Sequence, residues 1–348
     1  MPTLPPRADL EQLRRQAKEL LRAARSGDAS ALAQLAEVGR EPNLAMAQRC
    51  IAREHGFASW PALHLEIARR QVLDRHDAAA LTAFLAASPT AATTDLAAWR
   101  DHPAGASALG YLAMARYDTT TGKWRNVAGT GAAAHALIAR GAPVDGEEHA
   151  PETPLITAAS YGDADLAAVL IAAGANVDAT AKADSGGVPS GSALLHAAVF
   201  GMTDVMDLLV AAGAKVRSFE EAAAAGDLRG WRLADADEQT RIRALVMAAD
   251  HQRLAVMEQL LAAGIPVDRP DARFHRHALR LAAANGRPAS VAFLLAHGAD
   301  AAGRDARGRT ALDLCRLGRE HAADREGHDA VEAMLTAADP NGRSGRSS

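Results

Sequence analysis

The sequence predicts an all-α array of short amphipathic helices stacked in pairs, on three observations. An apolar face at helical period, ending in a small pair and then a Gly, recurs along the chain. A second, longer apolar face follows each first one. The two closing positions stand twelve residues apart in every full copy, as Gly162 and Gly174 do. The pattern is fullest from Thr153 to Asp178 (TPLITAASYGDADLAAVLIAAGANVD), where Leu155, Ala158 and Ala159 form the first face and Leu166, Val169, Leu170 and Ile171 the second. Gly at each closing position can take the left-handed conformation that ends a helix, so the segment reads as two antiparallel helices and an extended departure. Neither helix can bury its face alone, the condition under which a chain stacks copies of one unit.

Further copies open at Ser192 (SALLHAAVFG), Arg243 (RALVMAADHQ), His277 (HALRLAAANG) and Thr310 (TALDLCRLG), and the second helices return at 205–213, 256–264 and 291–298. TPLxxAAxxG followed by a V/LL run and AAGAxVD resembles the ankyrin repeat, which implies a solenoid of helix pairs carrying short β-hairpin fingers, with a period of about 33 residues. His277 to Thr310 is 33 residues and Arg243 to His277 is 34, whereas Thr153 to Ser192 is 39 because six residues are added near 180–189. An earlier copy opens at Ser107 (SALGYLAM) and resumes as GTGAAAHALIARG, Gly129 to Gly141, after 13 extra residues, RYDTTTGKWRNVA, at 116–128. A degenerate copy at 217–242 (FEEAAAAG) is expected to keep two helices, the second supplied by Leu228, Trp231 and Leu233, and to lose its finger. The expected array covers 71–338, its first units atypical.

Ahead of the array, Asp9 is placed to cap a helix with Gln12 three positions on, and Leu10, Leu13, Ala17, Leu20, Leu21 and Ala24 make its stripe. The opposite face carries Arg14, Arg15, Lys18, Arg22 and Arg25 interleaved with Glu11 and Glu19, and reads as a solvated face rather than a phosphate-binding one. Gly27 ends this helix, Asp28 caps the next (29–38), and a third runs from Asn43 to His55. In IAREHGFASWPAL, Gly56 stops a helix, Ser59 caps another, Pro61 is tolerated in its first turn, and Phe57 and Trp60 plug the corner. This stretch, together with LEQLRRQAKELLRAARSGD, resembles a short helical module that precedes ankyrin repeats in bacterial proteins, and residues 1–70 are expected to form an N-terminal helical cap over the first repeat. HDAAALTAFLAASP reads as a helix pair and TAATTDLAAW as another short helix, with breaks at Pro89 and Pro103. DAVEAMLTAA (329–338) supplies a final helix. Residues 1–8 are expected to be loose and 339–348 a disordered tail.

The net charge of −4 advertises no polyanion, which argues against nucleic acid and acidic membranes as partners. Two distant cysteines, Cys50 and Cys315, point to a reducing compartment, and neither a signal peptide nor an 18-residue apolar run is present, so the expected location is cytoplasmic. No GxSxG, phosphate loop, CxxC or HExxH occurs, so neither catalysis nor a cofactor is expected; TTGK at 120–123 lacks the preceding glycines.

The resemblance implies an adaptor that binds another protein on the concave face, where the fingers and the residues after each small pair would make contact. Register names Tyr161, Phe200, His251, Asn285, Phe274, Arg276, His149, Glu152 and, from the insertion, Trp124. Tyr161 and Phe200, one repeat apart, are expected to form one aromatic patch. In RFHRH, Arg273, His275 and His277 would share a face of an extended finger, but no Cys, Asp or Glu joins them at ligand spacing, so no metal is expected. The alternative is an enzyme or small-ligand sensor with a pocket between the insertion and the fingers around His149 and Val188.

Overall fold

The computed structural model describes residues 4–5, 8–39, 41–98, 105–118 and 121–339. The expectations for the first residues, Pro103 and the tail at 339–348 fall largely outside them. The described chain holds eighteen α-helices and one pair of two-residue strands, and it separates into two compact units. The first comprises 1–112 and 129–148; the second comprises 113–128 and 149–348.

In the first unit, side-chain caps set the helix starts. Asp9 accepts from Glu11 N at 2.8 Å, Asp28 from Ala31 N at 2.8 Å, Asn43 from Met46 N at 3.0 Å and Ser59 from Ala62 N at 3.3 Å, opening helices Leu10–Arg25, Ala29–Ala36, Leu44–Glu54 and Trp60–Asp74. Leu13, Ala17, Leu21 and Ala24 bury the predicted stripe against Ala47, Ile51, Leu63 and Ile67. Phe57 and Trp60 pack on that core half-buried. Helix Ala78–Ala87 follows, and the pair Ala108–Ala113 and Thr130–Ile138 brackets the insertion.

The short helix expected from TAATTDLAAW is absent beyond the 3₁₀ turn Pro89–Ala92. Two arginines of helix Trp60–Asp74 explain why. Arg69 donates to the carbonyls of Ala91 (3.2 Å), Thr94 (2.7 Å) and Asp95 (2.9 Å), and Arg70 donates to that of Ala97 (2.7 Å). Glu66 bonds both guanidiniums and accepts from Ala97 N at 3.0 Å. Carbonyls held in this way cannot serve a helix of their own. All three residues are at most 5% exposed, so the cluster is a buried ion triad whose remaining hydrogen-bonding capacity is largely spent on this loop.

In the second unit, helix pairs follow the predicted phase: Pro154–Tyr161 with Ala164–Ala172, Ala193–Phe200 with Thr203–Ala211, Glu238–Asp250 with Leu254–Ala262, Ala278–Ala284 with Pro288–Ala296, and Ala311–His321 with Glu326–Ala338. The small pairs Ala158–Ala159, Ala197–Ala198, Ala248–Ala249 and Ala282–Ala283 are all at most 2% exposed, because they form the seam along which successive first helices meet. Gln252 occupies a closing position at φ 55°, where the other copies have Gly; its Oε1 accepts from Ala289 N at 3.0 Å in the next repeat. The fingers are turns rather than ladders. Asp271 N–H donates to the Arg276 carbonyl at 3.0 Å, Asp305 N–H to that of Arg309 at 2.9 Å, and the enlarged finger closes through Ala181 N–H to Gly191 O at 2.8 Å.

The degenerate copy differs from expectation. Helix Phe219–Ala225 forms, but residues 227–237 contain only the 3₁₀ turn Leu233–Asp235, so this copy loses its second helix as well as a regular finger. Asp237 then caps the next helix at Thr240 N (2.6 Å), which starts at Glu238, five residues before Arg243. Trp231 covers the place of the missing helix by packing edge-on to Phe219 at 6.4 Å.

Glu66→Ala is expected to destabilise the first unit by about 3–5 kcal/mol, since it leaves two buried guanidiniums without their carboxylate. Hydrogen exchange should accelerate across 60–97. Arg14→Ala, which breaks the exposed Arg14–Glu11 pair, should change stability by no more than about 0.5 kcal/mol.

Candidate interaction surface

Residues 113–128 belong to the second unit and pack on its first full repeat. Strands β1 (Tyr117–Asp118) and β2 (Lys123–Trp124) pair antiparallel with Tyr117 opposite Trp124, their rings 5.0 Å apart. Tyr161 meets both, at 6.1 Å from Tyr117 and 6.2 Å from Trp124. Arg116 donates to the Gly162 carbonyl, and at the other end of the array His321 Nδ1 donates to the Gly122 carbonyl at 3.0 Å. The insertion is therefore a strap tied at both the first and last repeats of this unit. It brings Trp124 to Tyr161 and leaves Tyr161 half-buried. Phe200 stands apart from this cluster: its ring neighbour is His196 at 6.1 Å, and it is 40% exposed.

Polar groups close the seams. His196, which sequence reasoning passed over, is fully buried; Nε2–H donates to the Val188 carbonyl at 3.0 Å, leaving Nδ1 to accept from the Ser160 hydroxyl at 2.7 Å. Burial pushes its pKa below the usual 6.5, against the opposing charge of Glu152. Glu152 in turn accepts from Ser185 and from Thr157. A hydroxyl on a neutral imidazole is half of a nucleophile–base pair, but the second ring nitrogen meets a backbone carbonyl instead of an orienting carboxylate. The arrangement ties one repeat's helix end to the next repeat's finger.

His251 does the same one seam on. It is 1% exposed, bonded to the Thr203 hydroxyl and the Ala198 carbonyl, each at 3.0 Å, and burial lowers its pKa. It is thus a seam residue rather than a surface contact, because its ring is drawn in by the Thr203 hydroxyl and the Ala198 carbonyl of the neighbouring repeat. Asn285, half-buried, donates to the buried Asp250 at 2.7 Å, and Arg287 spans from Asp250 to the Gly201 carbonyl. A His inside an otherwise apolar helix, as in ALLHAAVF, is the sequence signal for such a clamp.

The finger at 271–276 is built differently. Asp271, 1% exposed, accepts from the backbone amides of Arg273 (3.0 Å), Phe274 (2.7 Å) and Arg276 (2.8 Å). His275 adopts φ 52°, so the extended alternation assumed for RFHRH does not hold. Phe274 stands 55% exposed, with the guanidiniums of Arg273 and Arg276 over its ring at 4.9 and 5.1 Å. His149 is also exposed. Among the described residues no group of three or more His, Cys, Asp or Glu side chains could hold a metal. An open cleft of about 270 Å³ lies in the first unit between Asp9, Ile67, Arg70, Gln71, Asp74 and Arg75, and no insertion residue lines it.

Residues 152–182 match the family model of the ankyrin repeat. No curated protein matches the chain. Among solved structures, the human ASB11 ankyrin repeat domain is 21% identical over 79% of this chain and 96% of its own, with a TM-score of 0.36. The fold is an all-α array of ankyrin-type helix pairs.

Two outcomes are expected. Tyr161→Ala should free the strap: stability falls by about 1–3 kcal/mol and exchange at 116–125 rises. His196 and His251 are held neutral, so their contribution to stability is complete above the usual imidazole value of 6.5 and is lost as pH falls below it toward their lowered folded values. Each can remove at most about 1.4 kcal/mol per pH unit. Urea unfolding between pH 7.5 and 5 should show this slope, and His251→Gln should flatten it.

Proposed function

We propose that this protein is an adaptor that holds a partner protein on the second unit, along the fingers and the exposed ends of the first helices. The observation that carries this reading is the finger at Phe274. A large aromatic is kept in water by a turn that a buried carboxylate fixes through three backbone amides. Aromatic and Arg side chains presented on rigid supports are the residues that dominate protein interfaces, since they bring large contact area at small ordering cost. Phe200 offers a second anchor at a helix end. Ankyrin repeats mediate protein–protein interaction as a rule, which favours this reading over the enzyme or ligand sensor, and the Ser160–His196 pair lacks the third group that a hydrolase would need. Binding without catalysis follows, and no cofactor is required.

The test is quantitative capture from the native lysate by the full chain, with partners identified by mass spectrometry and affinity then measured on the purified pair. Phe274→Ala and Phe200→Ala should each weaken binding about tenfold or more, with the melting temperature unchanged within about 2 °C, as expected for truncated surface anchors. Unchanged affinity in both variants would move the partner off this surface.

A further inference from the structure

We propose that the last two fingers of the second unit, 268–277 and 304–309, dock an acidic segment of the partner protein, whose carboxylates are taken by the guanidiniums of Arg273, Arg276 and Arg307. This deepens the adaptor reading and rests on it. The two fingers are neighbours, since Asp300 N–H donates to Asp268 at 3.1 Å. Their carboxylates are spent on the turns themselves. Asp268 takes the Asp300 amide, Asp271 takes three amides, and Asp300 takes the amide of Ala302. Asp305 takes the amides of Arg307 and Arg309 and the guanidinium of Arg309. Arg273, Arg276 and Arg307 are exposed and have no carboxylate within ion-pair distance among the described residues. Asp271 is buried and Asp305 half-buried, while Asp268 and Asp300 are exposed beside them; the guanidiniums of Arg273, Arg276 and Arg307 nevertheless face water outside any of these pairings.

Guanidinium is the group best matched to a carboxylate, through two parallel N–H bonds in a fixed plane. Phe274 holds two such groups over its ring before any ligand arrives. The same stacking argues against nucleic acid, because a ring already facing guanidiniums does not offer a free platform for bases. Overall charge points the same way. A net charge of −4 repels an extended polyanion or an anionic membrane, whereas a short acidic segment responds to the field within a screening length of about 8 Å.

The test uses the full chain and a short fluorescein-labelled oligoglutamate peptide, followed by fluorescence anisotropy at low and physiological salt. The expected result is salt-sensitive binding that the double variant Arg273→Gln/Arg276→Gln weakens about two- to thirtyfold, the range for two exposed ion pairs. Its melting temperature should match wild type. Arg229→Gln, which alters another exposed arginine of the same unit, should leave binding unchanged. Absence of peptide binding, or equal binding by the double variant, overturns the proposal. So does tighter binding of single-stranded DNA or phosphatidylserine vesicles that the same double variant abolishes, since the site would then be one for phosphate polyanions. If the peptide fails while capture of the native partner still depends on Phe200 and Phe274, only the acidic segment is lost and the adaptor reading stands.

Discussion

A helix of seven to nine residues does not persist in water, where isolated helices below roughly 12–15 residues are marginal. Most helices of the second unit are that short, so each exists only through the seam of alanine pairs that lets successive first helices approach closely. Close approach has a second consequence. Polar residues beside the pairs can be carried into the seam, where each must find a partner on the neighbouring repeat or lose its hydration uncompensated. His196, His251 and Asp250 meet that condition by bonding across the seam. The same geometry that supplies the fold thus withdraws these side chains from any surface role.

The strap extends this logic to a place the repeats do not reach. Tyr161 and Phe200 occupy equivalent ends of adjacent first helices, yet only Tyr161 is covered, because Tyr117 and Trp124 are delivered to it by residues 113–128. Its attachments to Gly162 and His321 are both to the second unit, although in sequence it interrupts a helix pair of the first. Which of two equivalent aromatics remains available to a partner is therefore decided by an insertion rather than by the repeat.

Much of this was readable in the residues. Twelve-residue spacing between closing positions, the alanine pairs and the caps at Asp9, Asp28 and Ser59 are local signals, and local physics made them hold. What failed to be legible was non-local. Residues 94–97 carry a helix-like composition but lose their carbonyls to Arg69 and Arg70, some 25 positions earlier in the chain. Residues 227–237 have the apolar side chains of a second helix, yet one aromatic contact, Trp231 on Phe219, replaces it. The burial of His251 depends on which way its helix end faces in the stack, and repeat register alone does not state that.

The finger at 271–276 shows the same limit from the functional side. Reading RFHRH as an extended arm groups Arg273 with His275 and His277, a set with metal-ligand character. The turn groups Arg273 with Arg276 on Phe274, a set with none. One buried residue makes the difference: Asp271 collects three successive or near-successive amides, and collecting them requires a tight turn, with His275 at positive φ. Because the carboxylate is engaged by backbone, it forms no ion pair with the guanidiniums it positions. Order imposed before binding also lowers the entropy lost on binding. An internal carboxylate that shapes the turn and leaves two cations exposed on an aromatic is what sets this finger apart and underlies the partner recognition we propose for it.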